Sequence, residues 1–122
     1  MILAQVLTLL RGDEQLMALV AGIEPHHTGD PAHNQIVYSF SPLTDGKAVR
    51  MDRLEIHIIA QSIAELEAID QAVRHILLTF GDSPLAGDVL QVELNGGGDM
   101  EDLGTGTYHR IAYYILTSRS VI

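Results

Sequence analysis

At 122 residues the chain has room for one domain, expected to span 1–122, and folding removes roughly two-thirds of its extended surface from water. Hydrophobic residues at 47% and charged residues at 19% exclude global disorder, and seven Lys+Arg against sixteen Asp+Glu leave a net charge of −9. That charge repels phosphate, which argues against a sequence-reading nucleic-acid binder, and the lack of cysteine excludes a disulfide framework, a zinc ribbon and a thiol nucleophile.

Along the chain, Leu3, Val6, Leu7 and Leu10 recur at the i, i+3, i+4, i+7 spacing of a helix. Gly12 interrupts, and Asp13 is placed to cap a second short helix whose stripe is Leu16, Leu19 and Val20. Gly22 stands where a left-handed residue would end that helix, with Ile23 folding back onto Met17 or Ala18. One long kinked helix is the alternative, because an internal Gly costs only about 1 kcal/mol. This N-terminus has no basic region, and Gln5 and Thr8 break its apolar run, so no secretory signal is expected. Nor does any window approach the roughly 18 apolar residues of a membrane span, and the expected address is a reducing cytoplasm.

A polar loop from Pro25 to Asn34 leads into a strand in which Ile36, Tyr38 and Phe40 alternate with Val37 and Ser39. Residues 41–47 read as a turn-rich connection. From Val49 to Gln61, Leu54, Ile56, Ile58 and Ala60 share one face while Arg53, Glu55 and His57 take the other, the pattern of a half-buried strand pairing as a hairpin with its predecessor. Ser62 and Glu65 form a capping box that opens a helix over about 62–80, with a stripe of Ile63, Leu66, Ile69, Val73, Ile76, Leu77 and Phe80 and with Glu67, Asp70, Gln71 and Arg74 opposite. Two further strands, 89–94 and 108–117, flank the Gly-rich acidic run 95–106. The order α-α-β-β-α-β-β predicts an α+β two-layer sandwich: a four-stranded, mainly antiparallel sheet covered on one face by the long helix and the N-terminal helical segment.

Chemistry-bearing residues are sparse. His26, His27 and His33 share one loop and are the only metal candidates, yet a structural zinc site needs four ligands at defined spacing and neighbouring His26 and His27 point apart. Solvated loop histidines are the plainer reading, and no metal or cofactor is expected. His57 and His109 fall on strands, assigned to the wet face, and His75 lies on the long helix; none has a Ser–His–Asp or HExxH context. The run 95–106 has no Lys or Arg, carries Asp99, Glu101 and Asp102, and leads into a strand, so it is no phosphate loop. Two readings stay open for it: a mobile docking arm offering Met100 and Leu103, or an idle tip. Of the adjacent Tyr113 and Tyr114, one faces the core and the other is free for an interface.

The ordered features Asp13-x-x-Leu16-x-x-Leu19-Val20-x-Gly22-Ile23, the proline-bearing loop, Ile36-Val37-Tyr38, Arg53-Leu54-Glu55-Ile56-His57-Ile58, the helix with Ala68, Ile69, Val73 and Leu77, and Tyr108-His109-Arg110 together resemble the small tail-completion or tail-terminator proteins of long-tailed bacteriophages and prophages. The resemblance spans nearly the whole chain and rests on element order and scattered hydrophobic and Gly positions; the His-rich stretch 26–34 departs from it. It implies a non-enzymatic virion protein, assembled in the host bacterial cytoplasm, that closes into a ring (commonly a hexamer) on the head-proximal end of the tail tube. There it stops polymerisation and meets the head connector. Its partners would be copies of itself, the tail-tube protein and neck proteins, with neither sequence-specific nucleic acid nor membrane. The hairpin tips then supply the candidate contacts: Leu43, Asp45 and Lys47 on one, Asp99, Met100, Glu101, Asp102 and Leu103 on the other, with Tyr108 beside it. The rival classes are another neck component (head-closure or adaptor protein) and a small-ligand or metal-binding α+β domain.

Overall fold

A computed structural model describes residues 2–25, 33–46, 48–82, 89–104 and 106–119. The N-terminal apolar stripe forms two helices, α1 (Ile2–Arg11) and α2 (Glu14–Leu19), separated at Gly12. Asp13 adopts extended backbone and its carboxylate accepts the Leu16 amide at 2.9 Å, satisfying one of the donors a helix start leaves unpaired.

The expected left-handed stop at Gly22 does not form. Val20 is already extended, and the chain runs on into a two-residue strand, β1 (Ile23–Glu24). Ile23 therefore pairs in parallel with Ile36 instead of folding back on α2. The physical reason is a better set of partners: the Ala21 amide donates to Asn34 O at 2.7 Å and the Ile36 amide to Gly22 O at 3.1 Å. Sheet bonds take over where a helix-terminating turn would have closed on itself.

Four long elements follow β1: β2 (Gln35–Asp45), β3 (Val49–Ala60), α3 (Ile63–Asp82), β4 (Val89–Asp102), and then β5 (Thr107–Arg119) closes the chain. The sheet thus has five strands, not four, in the order β1-β2-β3-β5-β4, with every pairing antiparallel except β1–β2. Residues 41–45 are strand rather than connection; a bulge between Pro42 and Thr44 absorbs the proline where β2 runs past the two residues that β1 pairs with. Most of the Gly-rich run is also strand. Residues 95–102 continue β4 across a second bulge between Leu94 and Gly97, where Gly96 and Gly97 have φ of +89° and +152°. A Cβ on Gly97 would overlap the Ile111 carbonyl oxygen of the neighbouring strand. Here the glycines serve backbone approach, and the strand expected over 89–94 runs on to Asp102, through most of the expected loop.

One face of the sheet is covered. Register aligns Tyr38 with Ile56 and Ala112, and Phe40 with Leu54 and Tyr114. This face packs on Val6, Leu7 and Leu10 of α1, Leu16 of α2, and Leu66, Ile69, Val73, Ile76 and Leu77 of α3. Each fully buried Leu or Ile contributes about 1.5–3 kcal/mol relative to exposure. The capping box is present in altered form. Ser62 Oγ accepts the Glu65 amide at 3.2 Å, and its hydroxyl, not the Ser62 amide, meets the Glu65 carboxylate at 3.2 Å. Ile63, counted in the apolar stripe, is 59% exposed, whereas Asp70, counted on the solvent side, is buried.

Candidate functional site

Asp70 is buried because it has a cation above it. Arg110 projects from β5 on the covered face, in register with Ile58, and reaches α3. Its Nε and one terminal nitrogen donate to the two oxygens of Asp99 on β4 at 2.8 and 3.0 Å. Its other terminal nitrogen donates to Asp70 Oδ2 at 3.1 Å, and Glu67 Oε1 accepts a further bond. Arg74, one turn along α3, donates to the same Asp70 oxygen at 3.0 Å. One guanidinium therefore ties β5, the edge strand β4 and the long helix together. The fork geometry of Arg suits this task as Lys would not. Hydrogen bonds to Arg110 hold the Asp99 and Glu67 carboxyls below their ordinary values, and the carboxylates in turn hold Arg110 firmly protonated. Tyr114 lies beneath; burial, with the Asp70 charge second, pushes its hydroxyl up to about 12.

The opposite face of the sheet carries a chain of polar side chains. His57 Nε2 and His109 Nδ1 lie 2.8 Å apart, and His109 Nε2 is 2.8 Å from Thr107 Oγ1. His109 and Thr107 are buried and His57 is half-buried, so His109 lies on the expected side of the sheet but is withdrawn from solvent. The two imidazoles are diagonal neighbours on β3 and β5, 52 positions apart, a juxtaposition that only the β3–β5 register creates. Further along this face Arg53 sits over Tyr113, 4.9 Å from the ring centroid, while Tyr114 faces the core.

A third long-range tie holds the start of α3. The Asn34 side chain donates to Leu19 O at the end of α2, at 3.3 Å, and accepts the Gln61 amide at 2.9 Å. Beside it lies a shallow, solvent-open groove of about 320 Å³ with His33 and Glu65 on its rim. Of the metal candidates, His33 is exposed and His26 and His27 lie outside the described residues. Among the described residues no group of three or more His, Asp or Glu side chains is placed to hold a metal ion.

The expected contact residues divide between opposite ends of the sheet. Val49 is in register with Arg119, and Ala60 with Tyr108, so the β2–β3 turn and the β4–β5 turn lie at opposite ends of the strands. At the first end Leu43 is exposed at 46%; Asp45 is the last residue of β2, and Lys47 lies outside the described residues. At the second end Met100 is 54% and Leu103 85% exposed, with Glu101 and Asp102 exposed beside them. The turn is built: Asp102 Oδ1 accepts the Gly104 amide at 2.9 Å and its carbonyl accepts the Gly106 amide at 2.8 Å. Two residues differ from a free contact surface. Asp99 is already bound to Arg110, and Tyr108 is half-buried against the core. The Arg110 cluster, the His57–His109–Thr107 chain and the Asn34 tie were all missed, since each joins residues far apart in sequence. The sole local hint was the assignment of His57 and His109 to the same, wet side of their strands.

The fold is one already seen in an assembled particle. A chain of the virion of a native gene transfer agent particle superposes with a TM-score of 0.68 over 94% of this chain and 92% of that one, at 17% sequence identity. This is likeness of fold, and it defines the class as a mixed α/β fold with a five-stranded sheet that also occurs in a virion chain. No protein-family model and no curated protein sequence matches the chain. No helix among the described residues is long and apolar enough to cross a membrane.

Proposed function

We propose that this chain is a structural protein of a phage-like virion, the tail terminator that closes as a ring on the head-proximal end of the tail tube, stops its growth and presents a surface to the head connector. The observation that carries this reading is the fold shared over nearly the full length with a chain of an assembled virion particle. The arrangement of exposed surface supports it. A sheet with two hairpin ends pointing in opposite directions offers each copy two different contact patches, as a ring built from heterologous interfaces requires. Open edges support it too: among the described residues β4 has no outer neighbour, and β1 covers only Ile36 and Val37 of β2. The role is one of shape, with no bond made or broken and no cofactor.

Purified protein added to polymerising tail-tube subunits tests the reading. A terminator shortens the tubes and remains at one end, visible by negative-stain microscopy. A protein that leaves tube length unchanged but binds the connector is a head-closure or adaptor component instead.

A further inference from the structure

Charge and exposed apolar surface are segregated along the strands. Consider strand residues with described side chains. The half toward the β2–β3 turn carries Arg50, Arg53 and Arg119, against exposed Glu93 and a buried Asp52 that Arg50 holds at 2.9 Å. Exposed Leu43 and Val49 lie among these arginines. The half toward the β4–β5 turn carries Asp99, Glu101 and Asp102, with Arg110 as its cation, and α3 adds Glu67 and Asp70 around that same guanidinium. Even with Arg74 counted beside Asp70, two arginines face five carboxylates, so this end stays negative, and it is the end that projects Met100 and Leu103.

We propose that the acidic tip of the β4–β5 hairpin of one copy docks head to tail on the β2–β3 end of the next copy, with Leu103 as the apolar anchor against Leu43 and Val49 and Glu101 facing Arg119. This rests on the ring-forming reading above and assigns its interface. A second copy is the occupant because the two ends of one molecule are complementary to each other in both sign and exposed apolar surface. A chain of net charge −9 repels itself in most orientations. A two-fold contact would set arm on arm or arginine end on arginine end, like against like, whereas head-to-tail contact sets opposite charges together. Such contact leaves one free end of each kind, so it propagates until the ring closes.

Sedimentation equilibrium on the full chain and two single variants tests this. Leu103→Asp removes the anchor and adds a repelling charge to the arm; Arg119→Glu inverts the charge at the other end. Both residues are exposed, and circular dichroism checks that the fold is kept. The unmutated chain should associate most strongly at about 0.1 M salt, where neighbouring charges still attract over about 10 Å but the net charges of whole copies are screened from one another, and weaken at about 1 M, where the range falls to about 3 Å. Each variant alone should associate at least about tenfold more weakly. Mixed in equal amounts they should form a one-to-one dimer that grows no further, because one intact arm meets one intact receiving end. An unmutated chain that stays monomeric at about millimolar concentration, variants that associate as the unmutated chain does, or a mixture that yields no dimer or grows beyond one would each overturn the proposal. Tube capping by the unmutated chain is scored separately: capping without the mixed dimer sinks this interface alone, and the dimer without capping sinks the terminator reading alone.

Discussion

Arg110 on β5 and Asp70 on α3, 40 positions apart, meet at 3.1 Å, and through this contact the long helix is fastened to the sheet face it covers. The Asp70 side chain is 3% exposed and so depends on its partners for the solvation it has lost.

Replacing Arg110 by Met should cost about 1–3 kcal/mol in denaturant unfolding with an unchanged m-value, since Arg74 still satisfies one Asp70 oxygen while Asp99 and Glu67 lose their donor. The pH dependence gives a second readout. Asp99 and Glu67 have folded-state values below their ordinary 3.8 and 4.5. Groups depressed in this way stabilise the fold above those ordinary values, and the contribution is lost as pH falls through the lower folded ones. The melting temperature of the natural chain should therefore fall more steeply from pH 5 to pH 3 than that of Arg110→Met. Equal slopes would mean the ion pairs contribute nothing.

Gly97→Ala should destabilise by about 2–4 kcal/mol, because the new methyl meets the Ile111 carbonyl and the φ of +152° disfavours any side chain. Gly98→Ala, with nothing within 4 Å of the added Cβ, should stay within about 0.5 kcal/mol of the natural chain. Thermal melts of the two variants side by side decide whether the β4 bulge is a required bend.

Asn34→Ala should cost about 1–2 kcal/mol by removing both the donor to Leu19 O and the acceptor for the Gln61 amide. Asn34→Asp keeps the acceptor yet sets a negative charge at the end of α2, so it should recover little of that loss. Amide exchange at Gln61 reads the local effect: it should speed up in Asn34→Ala and remain slow in Asn34→Asp.

Tyr114→Phe should be neutral or stabilising by up to about 1 kcal/mol, since the buried Tyr114 hydroxyl makes no hydrogen bond of good geometry among the described residues and nearby Arg74 only partly offsets its burial. A loss above about 1 kcal/mol in denaturant titration would show that the hydroxyl is bonded in solution.

Exposure at one hairpin tip was legible before folding was considered. Met100 and Leu103 are apolar residues flanking Glu101 and Asp102, and they do project into solvent at a hairpin tip. What the residues concealed was the use of the glycines. Three consecutive glycines resemble a loop by composition, and only contact with Ile111 reveals that the 96–97 pair lets one strand bend against another. Asp99 was equally opaque: its partner is 11 positions away across the hairpin, and nothing local distinguishes it from free Glu101.

Local signals determined the helices, the Asp13 cap and the alternation of β3, because these depend on residues one to four positions apart, whose relative placement is set by backbone geometry alone. Tertiary structure decided the fifth strand, the burial of Asp70 and His109, and the separation of the two hairpin ends. Each of these is a consequence of strand register and of α3 crossing the sheet. Register is chosen by which faces can be buried together across the whole molecule, so it is written in the sum of the side chains and in no single stretch of them.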